Sequence, residues 1–223
     1  MKLKYKGVIF DLDGTLVDTI LDIAASMNYA LKARGFPELD SGEYLEKVGW
    51  GIQRTAFLSL PEEERAKETS QSVSAEVAKI AADFYAENPY KHAKPFPGIP
   101  ELISALNSKK IKTAVLSNKP DAAAQKVIAG LFPPGSFNCV RGEIFGESRK
   151  PDPSSVWEIL VELDLAPSNI IFAGDSEIDM EAAFESGCFP LGVSWGYRSR
   201  EGIEKAGAKR IIDRPEELLD FFI

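Results

Sequence analysis

The sequence predicts an α/β fold, a doubly wound parallel sheet with helices on both faces, into which a helical domain is inserted. Short apolar runs that end in polar residues recur along the chain, and segments with helical spacing separate them. One long stretch near the N-terminus shows helical patterns alone. The predicted division assigns residues 1–17 and 95–223 to the α/β core, and residues 18–94 to the inserted helical domain.

Five short apolar runs have the form of buried parallel strands. Each run contains a β-branched residue and is followed by Asp, Ser or Gly. In such sheets, ligands bind at the carboxyl ends of the strands, so we expect the polar residues after these runs to share one site. The predicted strands are Gly7–Phe10, Lys112–Leu116, Asn169–Ala173, Pro190–Val193 and Arg210–Ile212.

Helical patterns lie between these strands. Apolar residues recur at helical spacing over 99–106 and 156–163. A further helix is predicted over 179–186, where Gly187 suits the left-handed residue that ends many helices. A last helix is predicted over 216–222, after Pro215.

The predicted insertion, residues 18–94, contains three apolar stripes and no convincing strand. The first stripe runs from Ile20 to Leu31, the second follows the N-cap candidate Ser41, and the third runs from Val73 to Phe84. The stiff turn at 95–98 marks the return of the chain to the core.

Composition narrows the classes of function. The net charge of −8 argues against nucleic-acid binding, and no apolar stretch approaches the ~18–20 residues that span a membrane. The lone histidine, His92, lies in a polar loop, which argues against His-dependent catalytic triads and His-rich zinc sites. The two cysteines indicate no disulfide framework. We expect a cytoplasmic protein, a monomer or homodimer, and the negative net charge does not argue against a small anionic substrate.

Two carboxylates, Asp11 and Asp13, stand at the end of the first strand beside Gly14. Their mutual repulsion is costly unless a cation is present, and Mg²⁺ favours oxygen ligands of this kind. A carboxylate can also attack phosphorus, while a second one transfers protons. An ordinary Asp-rich turn would have the same sequence.

Polar residues also follow the second and third strands. Asp175 and Asp179, four residues apart, would be held near one site by the start of a helix, although helix capping also explains such residues. Ser117 and Asn118 could form a phosphate cradle at a helix N-terminus, or Ser117 could be only a helix cap. Lys150 could neutralise a phosphate and hold a nucleophilic carboxylate, or lie solvated on the surface.

Four segments, DLDGTLVDT, LSNKPD, KPDP and GDSEID, resemble in this order the motifs of the haloacid dehalogenase superfamily of phosphatases. The resemblance covers nearly the whole chain and implies that family's Rossmann-like core with a helical cap inserted after the first motif. It implies Asp11 as the nucleophile and Asp13 as the general acid and base. It also implies Ser117 and Lys150 as ligands of the phosphate.

The same resemblance implies a Mg²⁺ site. Asp175 would be a direct ligand, with Asp179 supporting it, and Asp11 and the backbone carbonyl of Asp13 would complete the protein's share of the ligands. The acid at position 13 argues for phosphoryl transfer, because the dehalogenase branch of the superfamily lacks it.

Within the superfamily, VGWG at 48–51, NKP at 118–120 and WGY at 195–197 look like phosphoglycolate phosphatases. Gly49 and Gly51 could let the cap backbone approach a small carboxylate, and Arg54 could pair with it. A turn between helices and an exposed arginine would explain the same residues. Trp50 is larger than the resemblance leads us to expect, and either narrows the pocket or packs against the core.

The sequence therefore predicts a Mg²⁺-dependent phosphomonoester hydrolase with a phospho-aspartate intermediate, for which 2-phosphoglycolate is the leading substrate. The nearest rival is a sugar phosphomutase of the β-phosphoglucomutase type, which would use the same core. A different class, a catalytically silent protein that binds a phosphorylated metabolite, would be expected to have lost an acid or the lysine.

Overall fold

The computed structural model describes residues 5–222. Within this range, six strands form one parallel sheet, as predicted, and two others form a separate antiparallel pair. In chain order the strands are β1 (Gly7–Phe10), β2 (Val17–Asp18), β3 (Lys94–Pro95), β4 (Lys112–Pro120), β5 (Cys139–Glu143), β6 (Ile170–Gly174), β7 (Phe189–Val193) and β8 (Arg210–Ile212). The order across the main sheet is β5-β4-β1-β6-β7-β8, which puts β1 between β4 and β6.

The helices separate the strands along the chain. They are α1 (Ile20–Ala33), α2 (Ile52–Ser59), α3 (Glu62–Arg65), α4 (Ser70–Glu87), α5 (Ile99–Ser108), α6 (Asp121–Leu131), α7 (Ser154–Leu163), α8 (Glu177–Ser186) and α9 (Arg200–Lys205). Short 3₁₀ helices cover Ser41–Tyr44, Pro167–Asn169 and Pro215–Phe222. The predicted C-terminal helix is thus a 3₁₀ helix, and Gly187 ends α8 in the left-handed conformation, as expected.

Successive side chains of β1 point to opposite faces of the sheet and enter two different cores. Val8 and Phe10 pack with α5, α6 and the C-terminal 3₁₀ helix, whereas Ile9 packs with α7 and α8. All three side chains are buried. Because a strand with both faces covered needs apolar residues at every position, β1 is a continuous apolar run. This arrangement confirms the predicted doubly wound fold.

Several features of the core differ from the sequence prediction. β5 was not predicted, because its sequence CVRGE has no apolar run and it lies at the edge of the sheet. The helices α6 and α9 were also missed. β4 continues to Pro120, so Ser117 and Asn118 lie within the strand and α6 begins only at Asp121. The expectation of a helix N-terminus at Ser117 was therefore wrong.

The helices α1 to α4 form a second compact unit, which we call the helical insert (residues 18–94). Its own apolar core contains Met27, Leu31, Tyr44 and Val77, all buried. The prediction that this stretch has no strand was wrong at its ends, where Asp18 pairs with Lys94 in the β2–β3 ladder. A strand of two residues is too short to leave a pattern in the sequence.

The remaining predictions concern single residues. His92 is exposed, as expected, and its backbone N–H donates to the buried Asp22 carboxylate of α1. Cys139 and Cys188 are both buried and unpaired. Among the helices of residues 5–222, none is both long and apolar enough to cross a membrane.

Candidate active site

The carboxyl ends of the central strands open into a cavity of about 310 Å³ between the core and the helical insert. Asp11 follows β1, Ser117 lies near the end of β4, and Asp175 follows β6. All three line this cavity. They meet because β4, β1 and β6 are parallel neighbours, so their carboxyl ends lie at one edge of the sheet.

Three buried carboxylates lie together at this edge. Asp11, Asp175 and Asp179 each offer an oxygen within 4.8 Å of the other two. The Lys150 ammonium is also buried, and its Nζ lies 2.7 Å from Oδ1 of Asp11 and 2.7 Å from Oδ1 of Asp179. The second oxygen of Asp179 accepts hydrogen bonds from Ser176, whose hydroxyl is 2.6 Å away.

The charges of this cluster are not balanced, because three carboxylates share one ammonium. Burial and the neighbouring Asp179 raise the pKa of Asp11 well above its ordinary value, although Lys150 lowers it. The same two causes raise the pKa of Asp175 to about 7. Burial alone would lower the pKa of Lys150, but Asp11 and Asp179 raise it. A bound divalent cation would correct this excess of negative charge, and carboxylate oxygens suit a hard cation.

Two hydrogen bonds and the close approach of the loop at Gly14 fix the position of the Asp175 carboxylate. Its Oδ1 accepts a hydrogen bond from the Thr15 hydroxyl at 2.9 Å, and its Oδ2 accepts one from the backbone N–H of Tyr197 at 2.8 Å. Gly14 has a φ of +90°, and a Cβ at this position would lie 2.5 Å from an oxygen of Asp175. The close approach of the first loop to Asp175 therefore requires glycine at position 14.

Asp13 lies apart from the carboxylate cluster and faces the cavity. Its Oδ1 accepts hydrogen bonds from Lys119 Nζ at 2.9 Å and from the Thr19 hydroxyl at 2.5 Å. Lys119 is buried, and Asp13 raises its pKa despite the opposing effect of burial. Asp11 and Asp13 are thus paired with different lysines, which gives two neighbouring acids distinct surroundings.

Ser117 and Asn118 both line the cavity but have different contacts. The Ser117 hydroxyl accepts a hydrogen bond from the backbone N–H of Lys119 at 3.2 Å. The Asn118 amide donates to the carbonyl oxygens of Gly49 and Lys150, both at 2.9 Å. Asn118 therefore joins the helical insert to the loop that carries Lys150.

The predicted residues of the insert divide into two groups. Gly49 and Gly51 line the cavity, both with positive φ. Arg54 does not reach the cavity: its side chain is exposed and lies over the Phe57 ring, one helical turn away in α2. Trp50 is half-buried and is not among the residues that line the cavity.

The sequence analysis assigned no role at the site to several side chains that shape the cavity, among them Lys119, Tyr85, Tyr197 and Arg198. Lys119 and Tyr197 had been noted only as parts of segments that look like phosphoglycolate phosphatases. Lys119 could have been found, because it lies two residues after Ser117 in a strand and so shares its face. No sequence pattern marked Tyr85 and Arg198 as site residues, because their contacts join the core to the insert and so involve segments far apart in the chain. Arg198 donates to the carbonyl oxygens of Leu45 and Val48, the latter at 2.8 Å.

Comparison with known proteins agrees with this geometry. Residues 8–193 match the haloacid dehalogenase-like hydrolase family. A phosphoglycolate phosphatase from Aquifex aeolicus is 34% identical over 191 residues, which are 85% of each chain. One from Vibrio vulnificus is 29% identical over 96% of this chain and 95% of its own. The crystal structure of a candidate phosphoglycolate phosphatase from Lactobacillus delbrueckii subsp. bulgaricus superposes with a TM-score of 0.89, at 32% identity, over 98% of this chain and 99% of its own.

Proposed function

The chain belongs to the haloacid dehalogenase-like hydrolase family and is a phosphatase within it; we propose that it hydrolyses 2-phosphoglycolate through a phosphoryl group carried by Asp11. The observation that carries this proposal is the buried Asp11 carboxylate, held 2.7 Å from Lys150 at the carboxyl end of the central strand. The choice of phosphoglycolate rests on the names of the relatives and on the small cavity.

In the first half of the reaction, a carboxylate oxygen of Asp11 attacks the phosphorus of the substrate. The bond from phosphorus to the alcohol oxygen breaks, and Asp13 donates a proton to that oxygen. Lys150 and Ser117 hold the phosphoryl oxygens while the charge moves toward the leaving group. The products are the free alcohol and an acyl phosphate on Asp11.

In the second half, Asp13 takes a proton from a water molecule, which attacks the phosphorus of the acyl phosphate. The bond between phosphorus and the Asp11 oxygen breaks, so the carboxylate is restored and inorganic phosphate leaves. Asp13 thus regains the proton that it gave to the alcohol, and the cycle closes without an external acid or base.

We propose Mg²⁺ as the cofactor, held by Asp11, Asp175 and the backbone carbonyl of Asp13, with Asp179 in support. When bound, the ion would neutralise charge on the phosphoryl oxygens and orient them toward Asp11. The crowded carboxylates and their raised pKa values support a cation at this place.

We also propose that residues 18–94 form a cap domain that closes over the substrate and excludes water. The cavity between the insert and the core supports this role. The net charge of −8 supports a small-molecule substrate rather than a nucleic acid. We place the enzyme in the cytoplasm, as a monomer or homodimer.

The test is release of inorganic phosphate from a panel of phosphoglycolate, sugar phosphates, nucleotides and pyrophosphate, with Mg²⁺ and with excess chelator. We expect Mg²⁺-dependent release that is highest with phosphoglycolate. The matched control is Asp11→Asn, purified in the same way, which should release none. An isomerised sugar phosphate without free phosphate would point instead to a mutase. No reaction with any ester would overturn the proposal in favour of a silent binding protein.

A further inference from the structure

A lysine and a tyrosine meet where the core faces the helical insert. Lys119, near the end of β4, is only 8% exposed, and its Nζ lies 2.9 and 3.2 Å from the two oxygens of Asp13. The same Nζ lies 4.3 Å from the centre of the Tyr85 ring, which belongs to α4 of the insert. Both side chains line the cavity.

The hydroxyl of Tyr85 is unused within the described protein. Tyr85 is 6% exposed and packs against the core cluster, yet its oxygen has no hydrogen-bond partner among residues 5–222. Burial raises the pKa of this phenol, so the group remains a donor at neutral pH. A buried hydroxyl without a partner is destabilising, and a ligand that accepts a hydrogen bond from it would offset this cost.

The rest of the insert offers few donors to a ligand. Its wall of the cavity is largely apolar and includes Ile23, Met27 and Ile52. The two hydroxyls in this wall are already bound to backbone carbonyls: Ser26 donates to Ile23 at 2.8 Å, and Thr55 donates to Gly51 at 3.1 Å. A substrate with many hydroxyl groups would therefore leave some of them unpaired against apolar side chains.

We propose that Lys119 and Tyr85 form the subsite for a carboxylate group of the substrate, and that the apolar wall beside them disfavours sugar phosphates. This inference rests on the proposed function and names the groups that select the substrate. Ser117 and Lys119 both line the cavity and lie two residues apart in β4, so they can serve the phosphoryl and carboxylate ends of one short molecule. An ammonium has three donor hydrogens, so Lys119 can contact a substrate carboxylate while it stays paired with Asp13.

The test compares two esters of similar length, phosphoglycolate and ethyl phosphate, which lacks the carboxylate. The measured quantity is the ratio of their kcat/KM values in the wild type and in Lys119→Met, Lys119→Arg and Tyr85→Phe. We expect Lys119→Met to lower this ratio by about tenfold or more, and Tyr85→Phe by about three- to tenfold. Lys119→Arg should keep part of the preference, because it retains the charge.

The ratio separates substrate binding from a merely structural role. If Lys119 only holds Asp13, Lys119→Met slows both esters by the same factor and the inference is overturned. If Lys119→Met fails to fold, an unchanged ratio in both Lys119→Arg and Tyr85→Phe overturns it instead. Thermal unfolding should show that Tyr85→Phe is at least as stable as the wild type, since it removes a buried hydroxyl that has no partner among residues 5–222.

Two results with the wild type distinguish this inference from the proposed function. Phosphate release without a preference for phosphoglycolate over ethyl phosphate would overturn the subsite and leave the phosphatase intact. No phosphate release from any ester would overturn the proposed function and the subsite with it. A hexose phosphate turned over with a higher kcat/KM than ethyl phosphate would contradict the role of the apolar wall.

Discussion

The core side and the insert side of the cavity are built differently. On the core side, buried charged groups lie within hydrogen-bond distance of one another, as Lys150 does with Asp11 and Asp179. On the insert side, the wall is largely apolar, and its one unpaired buried hydroxyl within the described chain is that of Tyr85. In the function that we propose, the core side carries out the chemistry and the insert side selects the substrate.

This difference follows from the elements that carry each side. On the core side, Asp11, Ser117 and Asp175 stand at or near the ends of strands in one sheet, where packing on both faces fixes their positions. Lys150 joins them from a loop, and Asp179 from α8. The insert is joined to the core through the short β2–β3 pair and through hydrogen bonds to its backbone carbonyls. Substitutions on the core side should therefore affect the reaction itself, and those at the junction should affect closure.

The largest effect is expected for Asp11→Asn. An amide cannot form the acyl phosphate, so kcat should fall by at least about 10⁴-fold. The fold should survive, because the substitution removes one charge from a crowded cluster in which burial already raises the pKa of this carboxyl. Steady-state phosphate release and thermal unfolding measure the two effects.

The matched control for this prediction is an acid on the other side of the same cavity. Asp83 of α4 lines the cavity, but its carboxylate is exposed and paired with Lys79 at 2.8 Å. Asp83→Asn should change kcat by no more than about threefold. Equal falls in kcat for Asp11→Asn and Asp83→Asn would contradict the assignment of the chemistry to the core side of the cavity.

A second prediction concerns stability of the metal-free protein. Because the pKa of Asp175 is about 7 in the folded protein and 3.8 ordinarily, the folded state holds a proton that the unfolded state has released. The free energy of unfolding should therefore fall by a few kcal/mol as pH rises from about 4 to about 7. Urea unfolding in chelator measures this fall, and Mg²⁺ should restore the loss at the higher pH.

The control for this pH dependence is Asp175→Asn, which has no carboxylate at this position to titrate. Comparison with this variant isolates the effect from those of the exposed acids. A wild-type slope as shallow as that of the variant would contradict the charge imbalance that we infer for the cluster.

A smaller effect is expected at the junction. Arg198 donates hydrogen bonds to the carbonyl oxygens of Leu45 and Val48 in the insert. Arg198→Ala should lower kcat/KM by about tenfold, because the closure that we propose for the insert would lose these contacts. Arg54→Ala, an exposed arginine of the insert, should change it by less than about twofold. A larger fall in kcat/KM for Arg54→Ala would indicate that Arg54 contacts the substrate after all.

The sequence predicts the core side of the cavity far better than the insert side. Asp11, Ser117 and Asp175 follow from strand endings, because parallel strands bring such residues to one edge. The strand β5 escaped prediction because its residues show no apolar run. Arg54 was expected near the substrate because it follows Gly51 closely in the sequence. In α2, however, its side chain is exposed and lies over the Phe57 ring, away from the cavity lining.

The contacts between the two sides could not be read from the sequence at all. Arg198 meets backbone carbonyls about 150 residues away along the chain, and such contacts leave no pattern of residue types. Tyr85 lies on an amphipathic helix, where an aromatic residue is ordinarily part of the apolar face. Only the structure shows that Tyr85 packs against the core and lines the cavity.

The central claim is that Asp11 carries the phosphoryl group, and acid quenching during turnover tests it most directly. Enzyme mixed with phosphoglycolate and Mg²⁺ is quenched in acid, digested and analysed by mass spectrometry. We predict one added phosphoryl group on the peptide that contains Asp11, and none in the Asp11→Asn variant. Steady phosphate release with no labelled Asp11 peptide, or with the label on another residue, would contradict the account.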